Sequence, residues 1–173
     1  MIAEGWISLQ EMDLVKKYMK PFSSILEVGA ANGRLFTYLY NDFPNADYHA
    51  VDPWEQEQVR LQVDWDKGYF DEDNLKEVIT KEMFISHCPF AKTYEMYFDD
   101  FKTDQKYDIV SMGLVSSSVD WKSAYIKALS LTKPNGLVIG RNYNHKKYGP
   151  IIQDTIKEYN LIDRAKGSFV IHV

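Results

Sequence analysis

The residues best placed to do chemistry are two carboxylates and a turn of small side chains. Glu27 and Val28 lead into Gly29, Ala30, Ala31, Asn32 and Gly33, and Asp52 stands nineteen residues after Gly33. The turn follows an apolar run, Ser24 to Val28, and feeds a helical pattern in which Leu35, Phe36, Leu39 and Tyr40 share one face. A strand, a tight turn without bulky side chains and a helix let a ligand lie against main chain. Asp52 ends a second strand-like run, Tyr48-His49-Ala50-Val51, where an acid can accept bonds from a ribose diol. Together they read as the two halves of a nucleoside site; an ordinary strand-to-helix turn with no ligand is the competing reading of the same residues.

The spacing separates ligand classes. Dinucleotide folds carry G-x-G-x-x-G, whereas Gly29, Ala31 and Gly33 give G-x-A-x-G with Glu27 two residues ahead. This resembles the first motif of class I S-adenosylmethionine-dependent methyltransferases, E/D-x-G-x-G-x-G. The resemblance extends over nearly the whole chain. Ala50-Val51-Asp52-Pro53-Trp54 is similar to the V-D-x-W segment of the methyltransferase-24-like and macrocin-type O-methyltransferases. Tyr107-Asp108-Ile109-Val110 is similar to the entry to strand 4 in that family. Leu131 to Ile139 is similar to its L-L-K-P-G-G segment, with Asn135 in place of the first glycine. The resemblance implies S-adenosylmethionine as cofactor and S-adenosylhomocysteine as product. It places Glu27, Gly29, Ala30, Ala31, Asn32 and Gly33 against the methionine half and Asp52 on the ribose. Pro53 and Trp54 would flank the adenine, with Phe98 and Asp99 on its other side, and Gly113 and Leu114 would close the site from strand 4.

Departures from the family pattern bear on catalysis. Where this branch often carries I-D-G-x-H, the chain has Met112-Gly113-Leu114-Val115-Ser116, and where an acidic pair often follows strand 5 it has Arg141-Asn142-Tyr143. A divalent cation needs carboxylate oxygens, so no metal is expected. A hydroxyl acceptor must lose a proton as the methyl arrives. His145, after strand 5, and Asp120, after strand 4, are the candidate bases, although Asp120 also suits the first turn of a helix. The expected activity is metal-independent methyl transfer to a hydroxyl of a sugar or other small molecule. The missing acids keep a second reading open, a catalytically silent cofactor-binding subunit or partner protein. A nucleotide-dependent oxidoreductase is disfavoured by the G-x-A-x-G spacing.

The elements that must position these groups follow from periodicity. Ser8 and Glu11 form a capping-box spacing ahead of Met12, Val15 and Met19. Further strands are expected at Lys92 to Phe98, Tyr107 to Met112 and Leu137 to Gly140, with Pro134-Asn135-Gly136 as a turn. Helices are expected from Val119 to Ser130, capped by Ser117 or Ser118, and from Ile151 to Tyr159. Asp73 or Asn74 could cap a short helix through Ile79. Leu161-Ile162 and Phe169 to Val173 read as a closing hairpin around Lys166-Gly167-Ser168. The alternation predicts an α/β, doubly wound, mostly parallel Rossmann-like sheet of six or seven strands with an antiparallel C-terminal edge strand. Residues 1–173 form one domain, with 54–90 either covering the active-site edge or forming an elaborated crossover. Its acids and aromatic residues suit a neutral or cationic small acceptor.

The bulk properties narrow the partners. With 173 residues and a formal net charge of −5, the chain lacks the global basic field of a nucleic-acid binder. The one small basic cluster is Arg141, His145, Lys146 and Lys147. Cys88 stands alone, so no internal disulfide is possible, and it reads as structural. The four histidines are scattered without metal-ligand spacing. No apolar run has the length of a membrane span, and the opening residues lack a signal pattern. A cytoplasmic protein is expected, with its oligomeric state, including a homodimer, left open.

Overall fold

In the computed structural model, the described residues are 7–54, 58–60, 63–64, 69–70, 75–113, 120–165 and 167–173; side chains are described outside 55–78. In chain order the elements are α1 (Leu9–Tyr18), β1 (Ser24–Val28), α2 (Arg34–Tyr40), β2 (Asp47–Asp52), and four short strands, β3 (Gln58–Arg60), β4 (Val63–Asp64), β5 (Tyr69–Phe70) and β6 (Leu75–Val78). There follow α3 (Lys81–His87), β7 (Lys92–Glu95), β8 (Tyr107–Met112), α4 (Trp121–Leu131), β9 (Thr132–Gly140), α5 (Gly149–Ile156), β10 (Asn160–Ala165) and β11 (Ser168–His172).

Seven strands form one sheet in the order β10-β11-β9-β8-β1-β2-β7. β1 is central. It pairs in parallel with β2 (Ser24 opposite Asp47 through Val28 opposite Val51) and with β8 (Ile25 opposite Ile109 through Val28 opposite Met112). All five residues of β1 are buried, as expected for a parallel strand covered on both faces. One core layer joins α1, α2 and α3 through Met12, Val15, Leu35, Phe36 and Phe84. The other joins α4 and α5 through Trp121, Tyr125, Ala128, Ile152 and Ile156. The antiparallel strand expected near the C-terminus is β11, inserted between β9 and β10, so that β10 is outermost.

Local signals explain much of this. Ser8 and Glu11 form a complete capping box, and Met12 and Val15 point into the core. Asn135 takes φ 64°, the left-handed geometry that Asn tolerates, and its N–H bonds the carbonyl of Val173.

Several expectations are corrected. Pro134-Asn135-Gly136 does not end an element: it lies within β9, whose pairing with β8 shifts register there. The strand from Lys92 stops at Glu95, because the chain turns at once through Tyr97 to Phe101. Leu75–Val78 is a strand paired with Gln58–Arg60, so no helix runs through Ile79. The proposed caps Asp73 and Asn74 lie outside the described residues. The helix of this region starts later, capped by Thr80, whose hydroxyl accepts from Met83 N–H. α4 is capped by Asp120, not by Ser117 or Ser118, which lie outside the described residues. α5 begins two residues early, at Gly149, because Pro150 suits a first helical turn.

Candidate functional site

β1, β2, β8 and β9 are parallel, so their carboxyl ends share one edge, where ligands bind in folds of this kind. Gly29 to Gly33, Pro53-Trp54, Gly113 and the segment after Gly140 follow those strands there.

The glycine loop is tied down by main chain. Gly29 N–H bonds Val51 O at 2.8 Å and Gly33 N–H bonds Ala30 O at 2.9 Å. Gly29, Ala31 and Gly33 have φ of 75°, 48° and 82°. Gly33 has a steric reason as well: a Cβ there would lie 2.5 Å from Cys88 Sγ and 3.2 Å from the Phe84 ring. Cys88 is buried, and its thiol points at the Gly33 carbonyl. Burial pushes the thiol up to about 12, which disfavours the thiolate, and the side chain packs against Gly33.

Asp52 is the latch of this loop. Its Oδ2 accepts from Ala31 N–H at 2.9 Å and its Oδ1 from Trp54 N–H at 2.7 Å. Burial raises the carboxyl's pKa, against the pull of those donors. Trp54, at φ 40°, donates its indole N–H to Ala31 O at 2.8 Å and packs on Phe84. The Trp54 ring is therefore a buried brace between the two loops, with almost no surface open to an adenine. Pro53 is half-buried beside it.

Glu27 is the exceptional group. Its side chain is buried, and no described residue hydrogen-bonds to its Oε2. Burial pushes its carboxyl up to about 8; the nearby Arg141 cation pulls against this and the Asp52 charge adds to it. An unpaired buried carboxyl is costly unless something binds it. Glu27 lines a cleft of about 30 Å³ with Ile7, Gly29 to Asn32, Arg34, Leu35, Gly113 and Arg141. Gly113 is needed here: a Cβ on it would lie 2.9 Å from Gly29 O and 3.1 Å from Glu27 Oε1.

The cleft brings together Glu27, Gly29, Ala30, Ala31, Asn32 and Gly113, with Asp52 bonded to the loop. Phe98 and Asp99 follow β7 by three and four residues. Phe98 is half-buried and Asp99 exposed, and both carbonyls accept from the Lys127 ammonium. Leu114 and Ser116 lie outside the described residues.

Both candidate bases are engaged in local hydrogen bonds. Asp120 caps α4, with Oδ1 accepting from Lys122 and Ser123 N–H and Oδ2 from the Ser123 hydroxyl. Those bonds, the Ser123 hydroxyl first, hold its carboxyl below the usual range. His145 Nδ1 accepts from Lys147 N–H at 3.2 Å and Tyr148 N–H at 3.3 Å, and the ring stacks on Tyr148. A neutral imidazole accepting at Nδ1 carries its proton on Nε2, so the outer nitrogen is a donor. Neither residue lines the cleft.

Sequence reasoning missed two contributors. Arg141 was read as the loss of an acidic pair, but it lines the cleft and pairs with Glu11 at 3.5 Å. His87, on α3, reaches the loop with Nδ1 2.9 Å from Asn32 O. Neither contact has a local sequence signal. Among the described residues there is no cluster of three or more metal-ligating acids, histidines or cysteines, and no helix is long and apolar enough to cross a membrane.

No family model and no curated protein sequence matches the chain. Solved structures do. A ribosomal protein L11 methylase from Lactobacillus delbrueckii subsp. bulgaricus aligns with TM-score 0.61 at 14% identity, covering 94% of this chain and 75% of that one. The N-methyltransferase NodS from Bradyrhizobium japonicum, in complex with S-adenosylhomocysteine, aligns with TM-score 0.60 at 11% identity, covering 94% and 83%. Coclaurine N-methyltransferase, bound to N-methylheliamine and S-adenosylhomocysteine, aligns with TM-score 0.54 at 13% identity over 75% of this chain. The chain spans only 34% of the length of that last enzyme. The fold is the one these class I methyltransferases share.

Proposed function

We infer that this chain is an S-adenosylmethionine-dependent methyltransferase acting on a hydroxyl of a sugar or other small molecule without a metal. The observation that carries the cofactor half of this reading is Glu27, a buried carboxyl with a free oxygen, set beneath the glycine loop in a cleft that Gly113 keeps open. That acceptor fits the α-ammonium of the cofactor's amino-acid end, and the left-handed loop leaves its main chain bare for the thioether. When bound, the cofactor supplies an activated methyl group on a sulfonium.

The chain's own residues bind and orient. Asp52 holds the loop through Ala31 and retains lone pairs on both oxygens for the ribose hydroxyls. Glu27 takes the ammonium, and Pro53 borders the adenine. Asp120 and His145 act as caps of α4 and of the turn into α5. With both engaged as caps, the proton that the acceptor hydroxyl releases as its oxygen takes the methyl passes to solvent water, and this chain contributes mainly alignment of acceptor and methyl group, which accounts for a large share of such a rate. The silent-subunit reading draws its support from the same two side chains and from Arg141 standing where an acid is common.

The test is transfer of labelled methyl from S-adenosylmethionine across a panel of hydroxylated small molecules, with amines and nucleic acid as comparison acceptors. Label in a sugar or another small alcohol supports the reading. Preferred methylation of nucleic acid contradicts the acceptor class. Tight cofactor binding without transfer to any acceptor favours the silent subunit.

A further inference from the structure

Arg141 is held more firmly than a surface arginine. Its main chain is clamped by Tyr125, whose hydroxyl accepts from Arg141 N–H at 3.0 Å and donates to Arg141 O at 3.2 Å. Its Nε pairs with Glu11 Oε1 at 3.5 Å, and both side chains are about 85% buried, at 16% and 15% exposure. Glu11 is itself fixed. Its Oε1 accepts from Ser168 Oγ at 2.7 Å, and its Oε2 closes the capping box of α1 with Ser8 N–H and Oγ at 2.8 Å. Arg141 therefore joins α1, the end of β9 and the start of β11.

Glu11 engages one nitrogen of a guanidinium that carries donors on three. Among the described residues, no other side chain bonds the terminal nitrogens of Arg141. The same side chain lines the cleft that holds Glu27, whose Oε2 is unpaired. A buried carboxyl and a braced guanidinium in one cleft are complementary to a zwitterion: the first suits an ammonium, the second a carboxylate, which planar guanidinium grips in a fork. Ile7, ahead of α1, walls the same cleft.

We propose that Arg141, braced by Glu11, is the positioning residue that binds the α-carboxylate of the cofactor's amino-acid end. The inference rests on the cofactor reading above and adds a specificity to it. The residue after β9 is committed to holding the cofactor and is not available to an acceptor or a metal. It also gives α1 a task, because the capping glutamate that starts the helix carries the brace.

The experiment is a thermodynamic cycle by titration calorimetry on the full chain. The two ligands are S-adenosylhomocysteine and its decarboxylated analogue, which keeps the amine and lacks the carboxylate; the proteins are wild type and Arg141→Met. Wild type is expected to bind S-adenosylhomocysteine about 10- to 100-fold more tightly than the analogue, the range for a hydrogen bond to a charged group. Arg141→Met is expected to erase that preference, so that it binds the two ligands alike. Equal binding of the two ligands by wild type overturns the proposal without any variant. A wild-type preference that survives in Arg141→Met also overturns it, as does equal weakening of both ligands. 5′-Methylthioadenosine separates the failures: if wild type binds none of the three nucleosides, the cofactor reading falls and this inference with it. If wild type binds S-adenosylhomocysteine and the decarboxylated analogue alike, and both more tightly than 5′-methylthioadenosine, only the inference falls.

Discussion

Asp52 Oδ2 accepts a hydrogen bond from the main-chain N–H of Ala31 at 2.9 Å. The acid after the second strand thus fastens the loop after the first, before any ligand is considered. One carboxylate ties Ala31 of the first loop to Trp54 of the second, and this sets what its removal should do.

Asp52→Ala should leave Ala31 and Trp54 N–H without their acceptors and remove the ribose partner. Each loss of this kind is worth about 1–3 kcal/mol. Both the unfolding free energy and the affinity for S-adenosylhomocysteine are therefore expected to fall. Chemical denaturation and calorimetry read the two separately. Unchanged affinity in a folded Asp52→Ala protein would remove Asp52 from the site.

Gly113→Ala places a Cβ 2.9 Å from Gly29 O and 3.1 Å from Glu27 Oε1. Overpacking of this sort costs about 1–3 kcal/mol. Here it falls where Glu27 faces the cleft, so cofactor affinity should drop while the melting temperature declines only modestly. Wild-type affinity in the variant would contradict the placement of the cofactor's amino-acid end beside Glu27.

The Glu27 carboxyl, pushed up to about 8 by burial, makes stability pH-dependent with a definite sign. Its folded pKa lies above the unfolded value near 4.5, so the folded state binds the extra proton between them. The contribution is full below about 4.5 and is lost as pH rises toward 8, at about 1.4 kcal/mol per pH unit within that window. Glu27→Gln cannot ionise. Its stability relative to wild type should rise from pH 5 to pH 8, as followed by denaturant midpoints at both pH values. A constant difference would show that Glu27 is ionised in the folded protein throughout.

Arg141 stands in the cleft, and a guanidinium and a divalent cation repel each other, so transfer without a metal is the expected outcome. Methyl transfer should persist at full rate after dialysis against EDTA. Loss on chelation with recovery on adding magnesium would refute it.

The parts that were legible in the sequence are local. The capping box Ser8–Glu11, the Gly29–Gly33 turn, the strand Tyr107–Met112 and the closing hairpin each carry their signal within a few residues. Leu75–Val78 was misread because a short polar-apolar run fits a helix or a strand until its partner Gln58–Arg60 is known. Asp120 was ambiguous because the chemistry that makes a carboxylate a base also makes it a helix cap; only its bonds to Lys122 and Ser123 decide. The donors that occupy His145 Nδ1, from Lys147 and Tyr148, depend on a loop shape the sequence does not encode in any short pattern. Arg141 was the largest omission. Its meaning comes from Glu11, distant in sequence, and from Glu27 across the sheet edge.

The central claim is that the cleft at Glu27, with the loop that Asp52 fastens, takes S-adenosylmethionine or its product. Titration calorimetry of the full chain with S-adenosylhomocysteine, run beside NAD, tests it most directly. Saturable one-site binding of S-adenosylhomocysteine, weakened in Asp52→Ala and absent for NAD, is the predicted result. Binding of NAD in preference, or no binding of S-adenosylhomocysteine at millimolar concentration, would contradict it.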